Sequence, residues 1–451
     1  MAQRQYSGLA LAGWVMILGL GIAPGAIAPT WAQSDDPAIE AEQDEEAELI
    51  HPLQRPITAD PLLPERIRAA IQTEARKKKR DRDPNFTPPP LNAAEAIALE
   101  TALDDLAQAG QVALDNDAPE TAYELWFQEL RLRRFLGPLA EIEALTRVGR
   151  LAWEQSRNGD VAAITERLST IQTEANLDPI DPDAERDRDE PPPTPPDLTS
   201  PLIQPLAEAY EAVRSYPQAV LMYRYQLATL GADFDERQPV LENVARLHRD
   251  WFKFSEAIAI YQDLLTGARS QADLANEQVY LEELARLYDE TDQWTEAIAT
   301  KEDLFTAYLA KPLFVQKLAP LRLSIARNYA ALGDGEQASE FYQQAFTLAW
   351  AAQQYAYASE ALETLAALYT DYGQLNEAIA LYREQLKAAQ YAYDQYTMMQ
   401  TYDRMAQLYR ELKNYPQALS ALQAGLEIAN RLGHREAYFE EQLEIVAGES
   451  F

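Results

Sequence analysis

From Pro201 onward the apolar positions recur at spacings of three and four, the period of an amphipathic helix, and the whole pattern returns about every forty residues. One unit reads Leu365-Ala366-Ala367-Leu368-Tyr369, then Gly373-Gln374-Leu375-Asn376-Glu377-Ala378-Ile379-Ala380-Leu381-Tyr382. The small residue of the first block returns as Ala207, Ala245, Ala285, Ala326, Ala366 and Ala406; twelve residues after each stand Ala219, Ala257, Ala297, Ala338, Ala378 and Ala418. Tyr210, His248, Tyr288, Tyr329, Tyr369 and Tyr409 follow the first alanine by three, and Tyr223, Tyr261, Lys301, Tyr342, Tyr382 and Leu422 follow the second by four. Each unit is therefore two amphipathic helices that approach most closely at the alanines. Two weaker units come earlier: Gly110 pairs with Ala122 and Trp126, and Gly149 with Val161. The second lacks both the alanine and the aromatic, so only its 39-residue spacing from Gly110 sets its register.

Prolines test this assignment, because one in a helix interior costs about 3 kcal/mol. Pro119, Pro217 and Pro416 fall at the turn inside a unit, and Pro138 and Pro312 fall between units. Pro239 and Pro320 are placed at the start of a first helix, where a missing N–H is no loss.

The unit resembles the tetratricopeptide repeat (TPR), which carries a large apolar residue, Gly or Ala, then Tyr in its first helix, with Ala and an aromatic in its second. A period near forty instead of 34 is similar to the lengthened variant of kinesin light chains and related bacterial arrays. The resemblance implies an all-α, right-handed α-solenoid of helix-turn-helix units: two divergent ones over 92–177 and six over 201–447. It also implies a groove, lined by first helices, that binds a peptide or helical segment of another protein. Just after the small residue stand Glu208, Arg246, Arg286, Arg327, Ala367 and Gln407. Arg246, Arg286 and Arg327, with Asn243 and Arg249 beside them, form a candidate basic stripe for an acidic partner. The competing reading is ordinary helix-surface pairing, since Glu242 and Glu282 lie four residues before Arg246 and Arg286; Arg327 has Leu323 there instead. The Lys/Asn carboxylate clamp of chaperone-binding members is not visible. Tyr355, Tyr357, Tyr391, Tyr393 and Tyr396 cluster at unit junctions, as a contact rim or, the preferred reading, as packing between the long helices.

Composition agrees with long helices: the 451 residues include only 17 glycines, too few for many tight β-turns. There is no cysteine, which removes disulfides, thiolate catalysis, Cys-based zinc sites and a lipoprotein anchor. His51, His248 and His434 are far apart, and no nucleophile triad, Gly-rich phosphate loop or metal-ligand spacing is present. No cofactor, metal or enzymatic activity is expected. A formal charge of -33 repels nucleic acid and anionic lipid.

The remaining segments are not repeats. Arg4, an apolar run from Gly8 to Ala23, Pro24, Pro29 and then Thr30-Trp31-Ala32 before Gln33 read as a signal peptide, 1–32, for the general secretory route. The expected destination is the periplasm, the exterior or, in a cyanobacterium, the thylakoid lumen; an uncleaved anchor is the alternative. Residues 33–91 hold nine prolines and an acidic run, and are expected to be disordered apart from a short helix near 64–79 ending in Arg76-Lys77-Lys78-Lys79-Arg80. Residues 178–200 read as a Pro/Asp-rich linker or insertion. The acids of 181–190 do not match a calcium loop, because Arg186 stands where its glycine belongs. Two functions stay open: an exported, non-enzymatic scaffold that binds other proteins, or a polyanionic surface protein that binds cations or basic wall components.

Overall fold

The computed structural model describes residues 51–55, 58–77, 87–179 and 195–450. Contacts divide the chain into Met1–His51 and Pro52–Phe451, and the account below concerns the second unit. The signal peptide, the acidic run, Lys78–Arg80 and the acids of 181–190 lie outside the described residues.

Among the described residues there are eighteen α-helices and no strand. After α1 (Glu65–Ala75) come eight antiparallel pairs. These are α2/α3 (Ala93–Asp115, Pro119–Arg133), α4/α5 (Pro138–Glu154, Asn158–Glu174), α6/α7 (Ile203–Ala212, Tyr216–Thr229) and α8/α9 (Phe234–Asp250, Phe254–Ser270). Then follow α10/α11 (Leu274–Glu290, Trp294–Leu309), α12/α13 (Val315–Ala331, Gly335–Ala351), α14/α15 (Tyr355–Asp371, Leu375–Tyr391) and α16/α17 (Gln395–Glu411, Tyr415–Leu432). A single helix, α18 (Glu436–Glu449), covers the last pair, its fully buried Phe439 seated against Gly425. Each pair packs on its neighbours in sequence, the arrangement of an α-solenoid.

The alanine columns are where helices touch: Ala207, Ala245, Ala326 and Ala366 have no exposed surface, nor do Ala219, Ala257, Ala297, Ala338, Ala378 and Ala418. A Cβ on Gly110 would lie 2.3 Å from Trp126 Nε1, so a glycine is required opposite that indole. The turn inside each pair has one construction. Asp117, Ser156, Arg214, Phe252, Asp292, Gly333, Gly373 and Lys413 all take positive φ, between +55° and +78°, each seven residues after the small residue of its pair. The next N–H then bonds back to the carbonyl of the Tyr column, as from Ser215 to Tyr210 (2.8 Å), Lys253 to His248 (2.8 Å) and Asn414 to Tyr409 (2.8 Å). This closure satisfies carbonyls that a helix end would leave unpaired. Ser156 falls in the series, which supplies the register of the Gly149 unit that its side chains leave open.

Two expectations are corrected. Pro239 and Pro320 do not start helices; each is the sixth residue of α8 or α12. At Pro320 the carbonyl deprived of its helical donor, Gln316, accepts from the Gln354 side-chain amide of the next pair at 2.9 Å instead. Residues 33–91 are not wholly unpacked either. Leu63, Ile67 and Ile71 of α1 and its approach are buried against Leu99, Leu103 and Leu132. Leu53 is fully buried in the core of the first pairs, its turn held by Arg131 to the Pro52 carbonyl (2.7 Å) and Arg134 to that of Leu53 (2.8 Å). The proline count of the segment hides this short apolar set, which needs the first pairs to be buried at all.

The insertion between α5 and α6 is tied at its root: Asp197 N–H donates to the Asn176 carbonyl (3.0 Å), and the Asn176 amide to the Pro195 carbonyl (2.9 Å). The array therefore continues across it, with α6 packed on α4.

Candidate interaction face

The first helices of successive pairs adjoin, and every arginine of the predicted stripe stands on them, already paired. Arg246 holds Glu211 of the preceding first helix (2.8 Å) and the Asn243 side chain (3.2 Å). Arg249 reaches Glu283 of the following one (3.1 Å) and its own neighbour Asp250 (3.0 Å). Arg286 pairs with Glu283, and Arg327 with Glu360 of the next pair. Arg404 bonds Glu363 (2.8 Å), and Arg410 joins α16 to Glu449 of α18 through its Nε (2.7 Å). Burial is the largest single influence on Arg249 and Arg404 and lowers their pKa values, but Asp250 and Glu283 together outweigh it at the first, and Tyr382, Glu363 and Asp403 at the second, so both stand above the ordinary value.

An intrahelical ion pair forms at Arg286, but with Glu283 three residues before it, and the two glutamates at the four-residue spacing are engaged elsewhere. Glu242 accepts from the hydroxyl of Tyr280, one pair on, and from Gln238 (3.1 Å). Glu282 accepts from Tyr308 (2.7 Å), Gln278 (3.0 Å) and Lys317 (3.0 Å). The three donors hold the Glu282 carboxyl below its usual range although burial opposes them. Arg286 apart, the surface is a ladder of charged bonds between pairs, not a bare positive stripe. A surface rung of this kind contributes at most about 1 kcal/mol, so its larger effect is to orient adjacent helices.

Three positions of the six clear units break the tyrosine columns, Leu422 with another apolar residue and two with polar ones. Lys301, buried, stands where Tyr223, Tyr261, Tyr342 and Tyr382 stand in other pairs. Its ammonium donates to both oxygens of Asp289 (2.6 and 2.7 Å), to Ser324 (2.7 Å) and to Asn328 (3.2 Å), joining three helices. Burial draws its pKa below the ordinary lysine value, against the pull of Asp289. His248 takes the place of a first-helix tyrosine, buried beneath Trp251 (ring centroids 6.2 Å apart, planes at 14°), with neither ring nitrogen hydrogen-bonded. Burial, then Arg224 and Lys253, hold its pKa below the ordinary value, with Glu256 opposing. The unfolded chain takes up this proton at the ordinary histidine pKa while the fold resists it, so stability drops as pH falls below about 6.5. Denaturation at pH 7.5 and pH 5 is expected to show a loss that His248→Tyr reduces; an equal loss in both proteins contradicts the assignment.

The tyrosine cluster at the junctions of the last three pairs is a surface feature, contrary to the packing expectation. Tyr357, Tyr391, Tyr393 and Tyr396 are exposed, Tyr393 at 92%. Tyr355 stacks on Tyr391 (5.0 Å, 25°), with Trp350 edge-on to both. Tyr393 sits on the turn between two pairs and the others at the helix ends beside such turns, outside the alanine contacts, a position that helical spacing alone does not reveal.

Among the described residues no group of three or more His, Asp or Glu converges as metal ligands, and no helix is long and apolar enough to cross a membrane.

The class defined by this geometry is a TPR-like helical repeat array. No protein-family model matches the chain, and no curated protein matches it. Among solved structures it is similar to BtubC (BKLC) from P. vanneervenii, with 18% identity over 49% of this chain and 90% of that one, TM-score 0.35. It is also similar to a putative kinesin light chain of Podosopora anserina with nearly identical TPR-like repeats (23% identity, 42% of this chain and 93% of that one, TM-score 0.33). A third is aspartyl phosphate phosphatase F from Bacillus subtilis (13% identity, 67% of this chain and 78% of that one, TM-score 0.36).

Proposed function

We propose that the protein is a non-enzymatic scaffold that is exported and binds other proteins along its first-helix face, in the assembly or organisation of an envelope complex. The observation that carries the reading is the ladder that runs from Glu211 and Arg246 to Arg410 and Glu449, because it holds successive first helices in one orientation. A surface organised before binding loses little entropy on association, so the ordering of the partner dominates the cost. The stripe residues Arg246, Arg286 and Arg327, with Arg249 and Asn243, contribute as the polar floor of that surface. An acidic segment that binds there exchanges partners with Glu211, Glu283 and Glu360. The Arg4 to Ala32 pattern supports export.

Photo-crosslinkers placed at Arg286 on the first-helix face and at Glu384 on a second helix test the face in living cells. Labelling of the same protein from position 286 and not from 384 is expected; labelling from 384 alone, or from neither, overturns it. Fractionation with amino-terminal sequencing tests export, with Gln33 the expected first residue and a cytoplasmic full-length chain the contrary result.

A further inference from the structure

A cavity of about 400 Å³ opens between α4 and α6, lined by Arg150, Trp153, Glu154, Glu208, Glu211 and Arg214. Arg150 follows Gly149 by one residue and so belongs to the same column as Arg246, Arg286 and Arg327. Those three are matched to carboxylates, whereas Arg150 and Arg214 have no carboxylate partner among the described residues. The cause is local. The position four after the small residue carries Glu211, Arg249, Asp289 and Arg410 in four of the other pairs, where it forms an ion pair, and the uncharged Leu114, Ala330 and Thr370 in the remaining three. In the α4/α5 pair it is Trp153, with 46% of its surface exposed. An exposed indole face therefore shares the cavity lining with two guanidinium groups that have no carboxylate partner among the described residues. The carboxylates alongside are also available: among the described residues Glu208 accepts only from the Gln204 amide (3.0 Å), and Glu154 has no ion pair. Glu211 is held by Arg246.

We propose that this cavity binds a zwitterion with a flat or apolar side chain, the chemistry of a free aromatic α-amino acid or of a short peptide of the same kind. Arg150 and Arg214 take the carboxylate, for which a planar guanidinium is the matching donor. Glu154 and Glu208 take the ammonium, and the side chain lies on Trp153. A dianion such as a phosphate monoester fits poorly, because Glu154, Glu208 and Glu211 repel the second charge. The volume lies within the range of about 300–1,000 Å³ that holds small ligands. This site does not depend on the scaffold reading, since a small ligand and a protein partner can be present together or separately.

Calorimetry on the full-length protein with phenylalanine, N-acetylphenylalanine, phenylalaninamide and glycyl-phenylalanine tests it. Phenylalanine or the dipeptide is expected to bind, and the tighter of the two identifies a free amino acid or a peptide as the source. Blocking either charged end is expected to weaken binding at least tenfold. Arg150→Ala, Arg214→Ala and Glu208→Gln are expected to weaken it at least fivefold, Trp153→Ala to remove the preference for phenylalanine over glycine, and Lys387→Ala, on a distant second helix, to leave it unchanged. These exposed positions can be replaced without unfolding, which circular dichroism checks. Absence of heat at millimolar ligand, equal binding of either blocked form, or unchanged binding by both arginine variants overturns the proposal. The crosslinking result at position 286 is independent of all three.

Discussion

Lys301→Ala is expected to destabilise the array by about 3 kcal/mol, the loss typical when one member of a buried ion pair is removed. The alanine would leave Asp289, 35% exposed, without its ammonium, and Ser324 and Asn328 without their shared donor. Asn328 still donates to Asp289 (2.8 Å), which places the loss toward the lower end of the range. The location makes the effect more than a number. Lys301 joins α10, α11 and α12 at the middle of the array, and a solenoid is held together only by bonds between neighbours. A weak central junction is expected to divide one cooperative unfolding transition into two, visible as separate midpoints from probes in the early and late pairs. Lys301→Tyr is the discriminating control. In the α6/α7 pair a tyrosine stands at the equivalent place, and the Tyr223 hydroxyl lies 3.4 Å from Glu211, the counterpart of Asp289. A tyrosine at 301 therefore has a local precedent and is expected to stay within about 1.5 kcal/mol of the natural protein. If Lys301→Ala matches the natural protein in denaturant, or Lys301→Tyr is the more damaging, the network does not hold the junction.

The columns of alanine and tyrosine are legible in sequence because they record contacts between residues twelve to sixteen apart, within one hairpin of helices. Contacts between units escape the same reading. Arg246 bonds Glu211 and Arg327 bonds Glu360, offsets of 35 and 33 residues, and neither is a multiple of the repeat. Such pairs depend on how adjacent units are rotated, which no single unit encodes. Local pairing of Arg246 with Glu242 was the natural alternative, but Tyr280 of the next pair takes that carboxylate. The uncertain unit at Gly149 failed for a different reason: its diagnostic position holds Val161 instead of alanine, while its turn geometry at Ser156 is a property of backbone, shared with glycine, aspartate and lysine in other units. Once that register is in place, Arg150 falls into the arginine column and Trp153 into the column of ladder charges. The cavity was thus within reach of the sequence, but only through a turn that side-chain identity does not mark.

Glu141→Ala is expected to cost about 3–5 kcal/mol and to loosen the amino-terminal end of the array selectively. Glu141 is 2% exposed and lies between two arginines: Arg134 (3.0 Å), and Arg167, which binds both its oxygens (2.7 and 2.9 Å). Burial holds the pKa of Arg134 below the ordinary value; at Arg167 burial is again the largest single influence, but Glu141 and Glu174 together outweigh it and hold the pKa above the ordinary value. Without the carboxylate, two poorly hydrated guanidinium groups face each other unneutralised. Arg134 also donates to the Leu53 carbonyl, so the same substitution weakens the hold on the segment that inserts Leu53 into the core. Hydrogen exchange is expected to accelerate at residues 53–55 and along α4 and α5. The pairs from α10 onward should keep natural rates, because each pair touches only its neighbours. Replacing all three residues with apolar ones of similar size, Glu141→Leu, Arg134→Met and Arg167→Met, is expected to recover most of the global stability. It is not expected to restore slow exchange at Leu53, since Arg134 is absent. Recovery at Leu53 in the triple variant would mean that the buried leucine, rather than the arginine bond, holds the segment, and uniform acceleration across all eight pairs would contradict nearest-neighbour coupling.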